Sequence, residues 1–264
     1  MNTKIMIATH KPYRMPIDKE LYMPVFVGSA LHESVPEGYQ SDAQGENISV
    51  KNPHYNELTA IYWAWHNLSA DVIGLVHYRR YFVGHKLFGD KFARVLTRQE
   101  VEFLTQDVDV VVPKRRRYYV ETIESHYRHS HDSRGLDMLR LVIEKSYPQY
   151  FDAFNHVLSS RSAHMFNMFI MKKQRLDEYA SWLFDVLGEV EQNLDIATFE
   201  GNESRVLGFL SELLLDTWIE TNRLSYKEVK VQFMENEHWV KKITVFILNK
   251  LSGDKAIVNT HVKG

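Results

Sequence analysis

Short, nearly continuous apolar runs alternate along the chain with longer stretches whose apolar residues recur every three or four positions. Lys4–Thr9 (KIMIAT) predicts a buried first strand, ended by His10, Lys11 and Pro12. Tyr22–Gly28 predicts a second, with Pro24 placing it near an edge or at a strand start. Glu33–Asn52 is polar with scattered Gly, Pro, Ser and Asp, and reads as a long loop of the kind compact domains keep for function. In Asn56–Leu68, residues Leu58, Ile61, Tyr62 and Trp65 fall at helical spacing, and the run Asp71–Val76 predicts the strand that follows. Thr97–Thr105 opens with Thr97 and has Glu100 three positions on, the capping-box pattern of a helix start. Asp109–Val112 predicts another strand. Val120–Tyr147 reads as one helix stopped by Pro148, and Tyr150–Leu158 as the next. His164–Met171 (HMFNMFIM) reads as a buried strand carrying one amide, Asn167. Leu176–Gln192 and Glu203–Ile219 read as amphipathic helices, and Trp239–Leu251 as an apolar tail segment with lysines. Strands and helices alternating in this way predict an α/β fold, a sheet flanked by helices.

One stretch breaks the pattern. Asp71–Phe82 (DVIGLVHYRRYF) begins as a buried strand and turns cationic at once, with His77, Arg79 and Arg80 where its carboxyl end should be. Ligands of open α/β sheets bind at the carboxyl ends of strands, and guanidinium groups pair bidentately with phosphate oxygens. The alternative is two surface arginines paired with local carboxylates. The strand Asp109–Val112 ends in the same chemistry, Lys114, Arg115, Arg116, Arg117, Tyr118 and Tyr119, so the two strands predict one shared anion site.

Composition narrows the chemistry. The 264 residues carry a formal net charge of −2, so no global basic field draws nucleic acid, and no nucleic-acid partner is expected. The chain has no cysteine, which removes disulfides, thiolate metal sites and cysteine nucleophiles. Its first residues turn polar too soon for a signal sequence, and no apolar run is long enough to span a bilayer, which predicts a cytoplasmic protein. Gly-rich phosphate loops, G-x-S-x-G and a dinucleotide fingerprint are all missing. Asp107 and Asp109 precede their strand, so their carboxylates belong at the wrong edge for a metal–diphosphate site. His126, His129 and His131 invite a metal reading, but the helical spacing joins only His126 and His129 on one face. The other reading makes these histidines neutral hydrogen-bond donors lining a site.

Several motifs in order resemble a bacterial family long catalogued as a domain of unknown function. They are Thr9–Pro12, Asn47 to Pro53, Asn56–Thr59, Tyr62–Trp65, Gly74–Phe82, Pro113–Lys114 with Tyr118–Tyr119, His126–Tyr127, His164–Met171, and Arg205 with Gly208–Glu212. Members of that family sit among capsular and exopolysaccharide biosynthesis proteins and include galactofuranosyltransferases. Two positions depart from its pattern, Asn56 in place of Cys and Leu213 in place of Arg.

The resemblance implies a GT-A-like nucleotide-binding mixed sheet over residues 1–232 and a C-terminal helical tail over 233–264. It implies a glycosyltransferase that moves a sugar, best matched by galactofuranose, from a UDP-sugar to a lipid-linked glycan acceptor in capsule, O-antigen or exopolysaccharide synthesis. His77, Arg79 and Arg80, with Lys114, would stabilise the departing diphosphate, so neither a divalent metal nor another cofactor is expected. Thr9, His10, Lys11, Asn47, Asn52, Glu57, Tyr118, His126, His164, Asn167 and Arg205 complete the expected nucleotide-sugar site. An inverting transfer needs a carboxylate base; Glu212, on the face of Arg205 and Gly208, is the candidate, with Glu203 and Glu57 as rivals. In the tail, Trp239, Ile243, Phe246 and Ile247 beside Lys241 and Lys242 would rest either on the inner membrane surface or on the core. Two alternatives stay open: a metal-dependent transferase using His126 and His129, and a non-catalytic polysaccharide- or nucleic-acid-binding module.

Overall fold

The computed structural model describes residues 1–86 and 88–235. Its centre is β1 (Thr3–Thr9), flanked by the parallel strands β2 (Tyr22–Phe26) and β4 (Val72–His77). A two-residue β3 (Gln40–Ser41) extends β2 but pairs only with Val25 and Phe26, so Pro24, which has no N–H to give, faces an open position. Beyond β4 the sheet continues through β9 (Phe169–Lys172), β6 (Val110–Pro113) and β10 (Tyr226–Val229). β9 runs antiparallel to both β4 and β6, whereas β6 and β10 are parallel. The result is the mixed α/β sheet expected from the alternation of elements.

Helices cover one face: α1 (Asn52–Tyr55), α2 (Leu58–Asn67), α5 (Ser133–Ser146), α7 (Lys173–Asn193), α8 (Val206–Ser211) and α9 (Leu214–Thr221) pack with Met6, Ala8, Ile73, Leu75, Val110 and Phe169. The alternate residues Ile5, Ile7, Val72, Val76, Val111 and Ile170 point to the other face. There they meet Tyr81 and Phe82 of β5 (Arg80–Phe82) and Val101 and Leu104 of α3 (Arg98–Leu104). Burial on both faces is why these strands read as unbroken apolar runs. Gly74 interrupts β4 because a Cβ there would lie 3.0 Å from Ile170 and 3.2 Å from the Phe169 carbonyl. α3 keeps its expected capping box, with Thr97 and Glu100 satisfying each other's backbone N–H groups.

Three expected elements break, each next to chemistry. The long helix divides into α4 (Ile123–Ser130) and α5, because Asp132 adopts an extended conformation and caps the second helix at the Arg134 N–H. The helix expected over Glu203–Ile219 opens as a 3₁₀ turn (Gly201–Arg205) and breaks again between α8 and α9, at Glu212 and Leu213. Only the second half of HMFNMFIM is strand; Phe166 and Asn167 precede β9 with φ of 81° and 51°. Two further pieces carried no alternating signal: the antiparallel pair of β7 (Arg116–Arg117) with β8 (Ser162–Ala163), which follows α6 (Phe151–Ser159), and the strand β11 (Val231–Phe233) paired with β5. Trp239–Leu251 lies outside the described residues. No helix among the described residues is long and apolar enough to cross a membrane.

Candidate active site

The topology gathers chemistry at one edge. β1, β4 and β6 run the same way, so Thr9, His77 and Pro113 end side by side, and antiparallel β9 starts there, just after Phe166 and Asn167. A tight turn at Tyr78 and Arg79 folds β5 back so that His77 pairs with Arg80. Directly opposed residues of an antiparallel pair share a face, which puts His77 and Arg80 together. Arg79, on the turn, leaves the other way. It bonds Glu235 at 3.2 Å and lies over the Tyr78 ring at 4.9 Å, so the two arginines act separately. Arg80 lies over the Phe166 ring at 4.4 Å.

The left-handed turn at Phe166 and Asn167 joins three elements. His77 Nε2 donates to the Phe166 carbonyl at 2.6 Å; a carbonyl only accepts, which fixes the proton on Nε2. The Phe166 N–H, on the same turn, favours the charged form of the Glu212 carboxyl. Asn167 Nδ2 donates to Glu57 Oε1 at 2.8 Å and to the Gly208 carbonyl at 3.3 Å. Asn167 Oδ1 is buried with no partner. A third residue with positive φ, Asn56 at 51°, accepts from Arg205 Nε at 2.9 Å through Oδ1. Gly208 is needed for this contact, since a Cβ there would sit 2.3 Å from Asn56 Nδ2. Left-handed backbone at a non-glycine residue costs about 1–3 kcal/mol, and three of the four such residues described here surround this one cluster.

Charge is unevenly balanced within it. Burial pushes the Glu212 carboxyl up to about 7; Glu57 adds to the rise, while Arg80, the Phe166 N–H and Arg116 oppose it. Glu212 nevertheless keeps part of its surface open to solvent. His77 is held neutral mainly by burial, with the charges of Arg80 and Arg205 acting in the same direction and Glu57 against them. Tyr118 completes the wall: its ring lies 4.4 Å from His126 and 5.1 Å beneath Arg116, and its hydroxyl feels both Arg116 and Glu212. Next to His77, the Tyr78 ring is met edge-on by His10 at 5.4 Å and capped by Lys11 at 5.4 Å. Thr9 hydrogen-bonds the Lys11 carbonyl at 2.7 Å, which fixes that corner.

Other expected site residues have different surroundings. Asn47 hydrogen-bonds the Ala43 and Gly45 carbonyls, and Asn52 holds the Asn56 carbonyl, so both brace loops. Lys114 is exposed. His126 and His129 each hydrogen-bond one oxygen of Glu121, at 2.9 Å. Among the described residues no group of three or more His, Asp or Glu is placed to hold a metal ion. Glu203 accepts from His131 at 3.3 Å and from the Asp132 N–H at 2.9 Å. His164 turns away from the edge. Its ring is fully buried between Asp216 and Glu228, and Arg115 stands 3.5 Å from Asp216. Asp109 pairs with Arg175 at 2.9 Å at the far edge of the sheet, as its position before β6 predicts.

Residues 4–223 match the model of a family described as a domain of unknown function, DUF4422. The chain belongs to this family. The fold of this DUF4422 protein is also similar to the apo structure of the WbbM bifunctional glycosyltransferase, with 27% identity and a TM-score of 0.79. The match covers 90% of this chain and 46% of that one, so this chain spans about half the length of that protein. No curated protein sequence matches it.

Within the DUF4422 chain, the roles of Arg116 and Phe166 were hidden from sequence reasoning. Arg116 is one of three consecutive arginines, and only the β7–β8 pairing, Arg116 with Ala163, selects which of them faces Glu212. Phe166 acts through its backbone, and side-chain periodicity carries no signal for that.

Proposed function

We propose that this DUF4422 protein is an inverting glycosyltransferase. Its donor is a UDP-sugar, with galactofuranose the sugar the family resemblance favours, and its acceptor is a lipid-linked glycan of capsule, O-antigen or exopolysaccharide synthesis at the cytoplasmic side of the membrane. One observation carries the reading: a partly accessible carboxyl with its pKa raised to about 7, Glu212, faces Arg80 and Arg116 at the carboxyl edge of the sheet. The likeness to a glycosyltransferase fold supports the same class of reaction.

The chemistry follows from this arrangement. An acceptor hydroxyl is too weak an acid to lose its proton unaided, and a base whose pKa lies near the working pH is the most effective at taking it. Glu212 accepts that proton as the acceptor oxygen bonds to the anomeric carbon. The bond from that carbon to the diphosphate oxygen breaks, and the nucleoside diphosphate leaves with the electron pair. Arg80, Arg116 and Arg205 supply fixed positive charge for the diphosphate, stabilising charge where it develops. The neutral His77, its Nε2–H already committed to Phe166, orients the turn that holds Glu212 and Asn167. Asn167 Oδ1, buried and unpartnered, is an acceptor suited to a sugar hydroxyl.

The test is ligand binding followed by turnover. UDP should raise the melting temperature with EDTA present, since a ligand that binds only the folded state stabilises it. Arg80→Ala should remove that shift, and Glu212→Gln should keep it while abolishing transfer from a UDP-sugar. If no nucleotide or sugar nucleotide shifts the melting temperature, with or without Mn²⁺, the transferase assignment fails. A binding module that holds polymer without turnover would then replace it.

A further inference from the structure

The segment from Lys114 to Thr122 leaves the active edge and enters solvent in an unusual way. Tyr119 and Val120 are 81% and 68% exposed, although both are apolar. Arg116 and Arg117 sit on the two-residue strand β7, so their side chains leave on opposite faces. Arg116 turns to the Tyr118 ring and the field of Glu212, while Arg117 goes to solvent. Among the described residues no ion pair holds Lys114 or Arg117. The only acid in the segment, Glu121, faces inward to His126 and His129. A chain whose formal net charge is −2 thus presents, beside its active edge, a local surface that is cationic with an aromatic and an aliphatic tip.

We propose that this segment is a membrane-docking surface for anionic lipid, with Tyr119 and Val120 entering the interface and Lys114 and Arg117 meeting the headgroups. Charge complementarity commits it to that occupant. Tyrosine sits at the headgroup level of bilayers, and each exposed Lys or Arg close to an anionic leaflet adds attraction that salt screens. The surface deepens the proposed function and rests on it for its purpose: Tyr118 and Arg116 lead from the docked tip to Glu212, so a lipid-linked acceptor would meet the base from the membrane side.

The test uses the full chain with sedimenting vesicles of phosphatidylcholine, with and without phosphatidylglycerol. The chain should bind the anionic vesicles, bind the neutral ones far less, and release as salt rises. Tyr119→Ser with Val120→Ser, and separately Arg117→Glu, should each weaken partition by about tenfold. Absence of binding to anionic vesicles overturns the proposal, as does partition unchanged in both variants, which would assign attachment to another segment. The UDP melting shift, measured on the same samples, reports on the transferase assignment alone. Vesicle binding without a nucleotide shift leaves the docking surface standing, and a nucleotide shift without vesicle binding removes only the docking surface.

Discussion

Two carboxylates four residues apart, Glu212 and Asp216, meet opposite fates, and so do the residues facing them. Asp216 lies against His164, which donates through both its N–H and its ring, with Arg115 alongside. Burial alone would raise its pKa, but these partners overcome burial and hold it below the ordinary 3.8. Glu212 faces Phe166, two positions after His164. The charges of Arg80 and Arg116 and one backbone N–H favour its ionised form, Glu57 is a like-charged neighbour, and burial wins. A buried carboxylate with enough donors is a structural joint. One left undercompensated is held ready for a proton, and perturbed groups of that kind gather at functional sites.

The largest effect should come from exchanging Glu212 for its neutral isostere. Glu212→Gln should lower the rate of sugar transfer by roughly 10²–10⁴-fold, measured as UDP release with acceptor present. In the native protein that rate should rise as the pH passes through about 7, following the carboxyl's raised pKa. Asp216→Asn should leave donor binding intact but destabilise the fold by about 2–3 kcal/mol in urea, because it strands His164 and Arg115. The sign with pH follows from the lowered pKa. The Asp216 contribution is complete above its ordinary value of 3.8 and disappears as the pH falls through its lower folded value, where the variant and the native protein converge.

Gly208→Ala sharpens the contrast from the scaffold side. The new methyl should displace Asn56, cost about 2 kcal/mol and lower activity through Arg205. The two carboxylates should also differ in stability. The folded pKa of Glu212 lies above its ordinary 4.5, so the native state holds the proton more tightly and loses stability as the pH rises from 4.5 to about 7. Glu212→Gln should therefore melt higher than the native protein at about pH 8, by about 2 kcal/mol, and match it at about pH 4. Thr97→Ala, remote from both clusters, should cost only about 1 kcal/mol through the lost cap of α3 and leave activity unchanged. A large activity loss there would break the division between the edge and the scaffold.

Much of this was legible in the chain because it depends on local pattern. The apolar runs of β1, β4 and β6 are buried on both faces, and the helical period of α7 follows from one-sided burial. The cationic ends of two strands lie at one edge of the sheet, where the charges of Arg80 and Arg116 both act to lower the pKa of Glu212. The Arg79–Arg80 pair did not act as a unit. Adjacent residues leave a strand on opposite faces, and the turn after β4 sends Arg79 to Glu235. The helix expected through His131 and the strand expected through Asn167 broke where backbone groups bond across elements, and periodicity holds no record of such bonds.

By itself, the sequence determined the alternation of strands and helices, the apolar runs of the sheet, and the cationic residue types placed where its strands end. Those follow from burial and backbone propensity, which act over a few neighbouring positions. The tertiary structure decided which charge stands beside which. It brought Glu57 to Asn167 and kept Glu212 short of partners, while surrounding Asp216 with them. The energy of a buried charge depends on donors a few ångströms away in space, and residues far apart in the chain supply them.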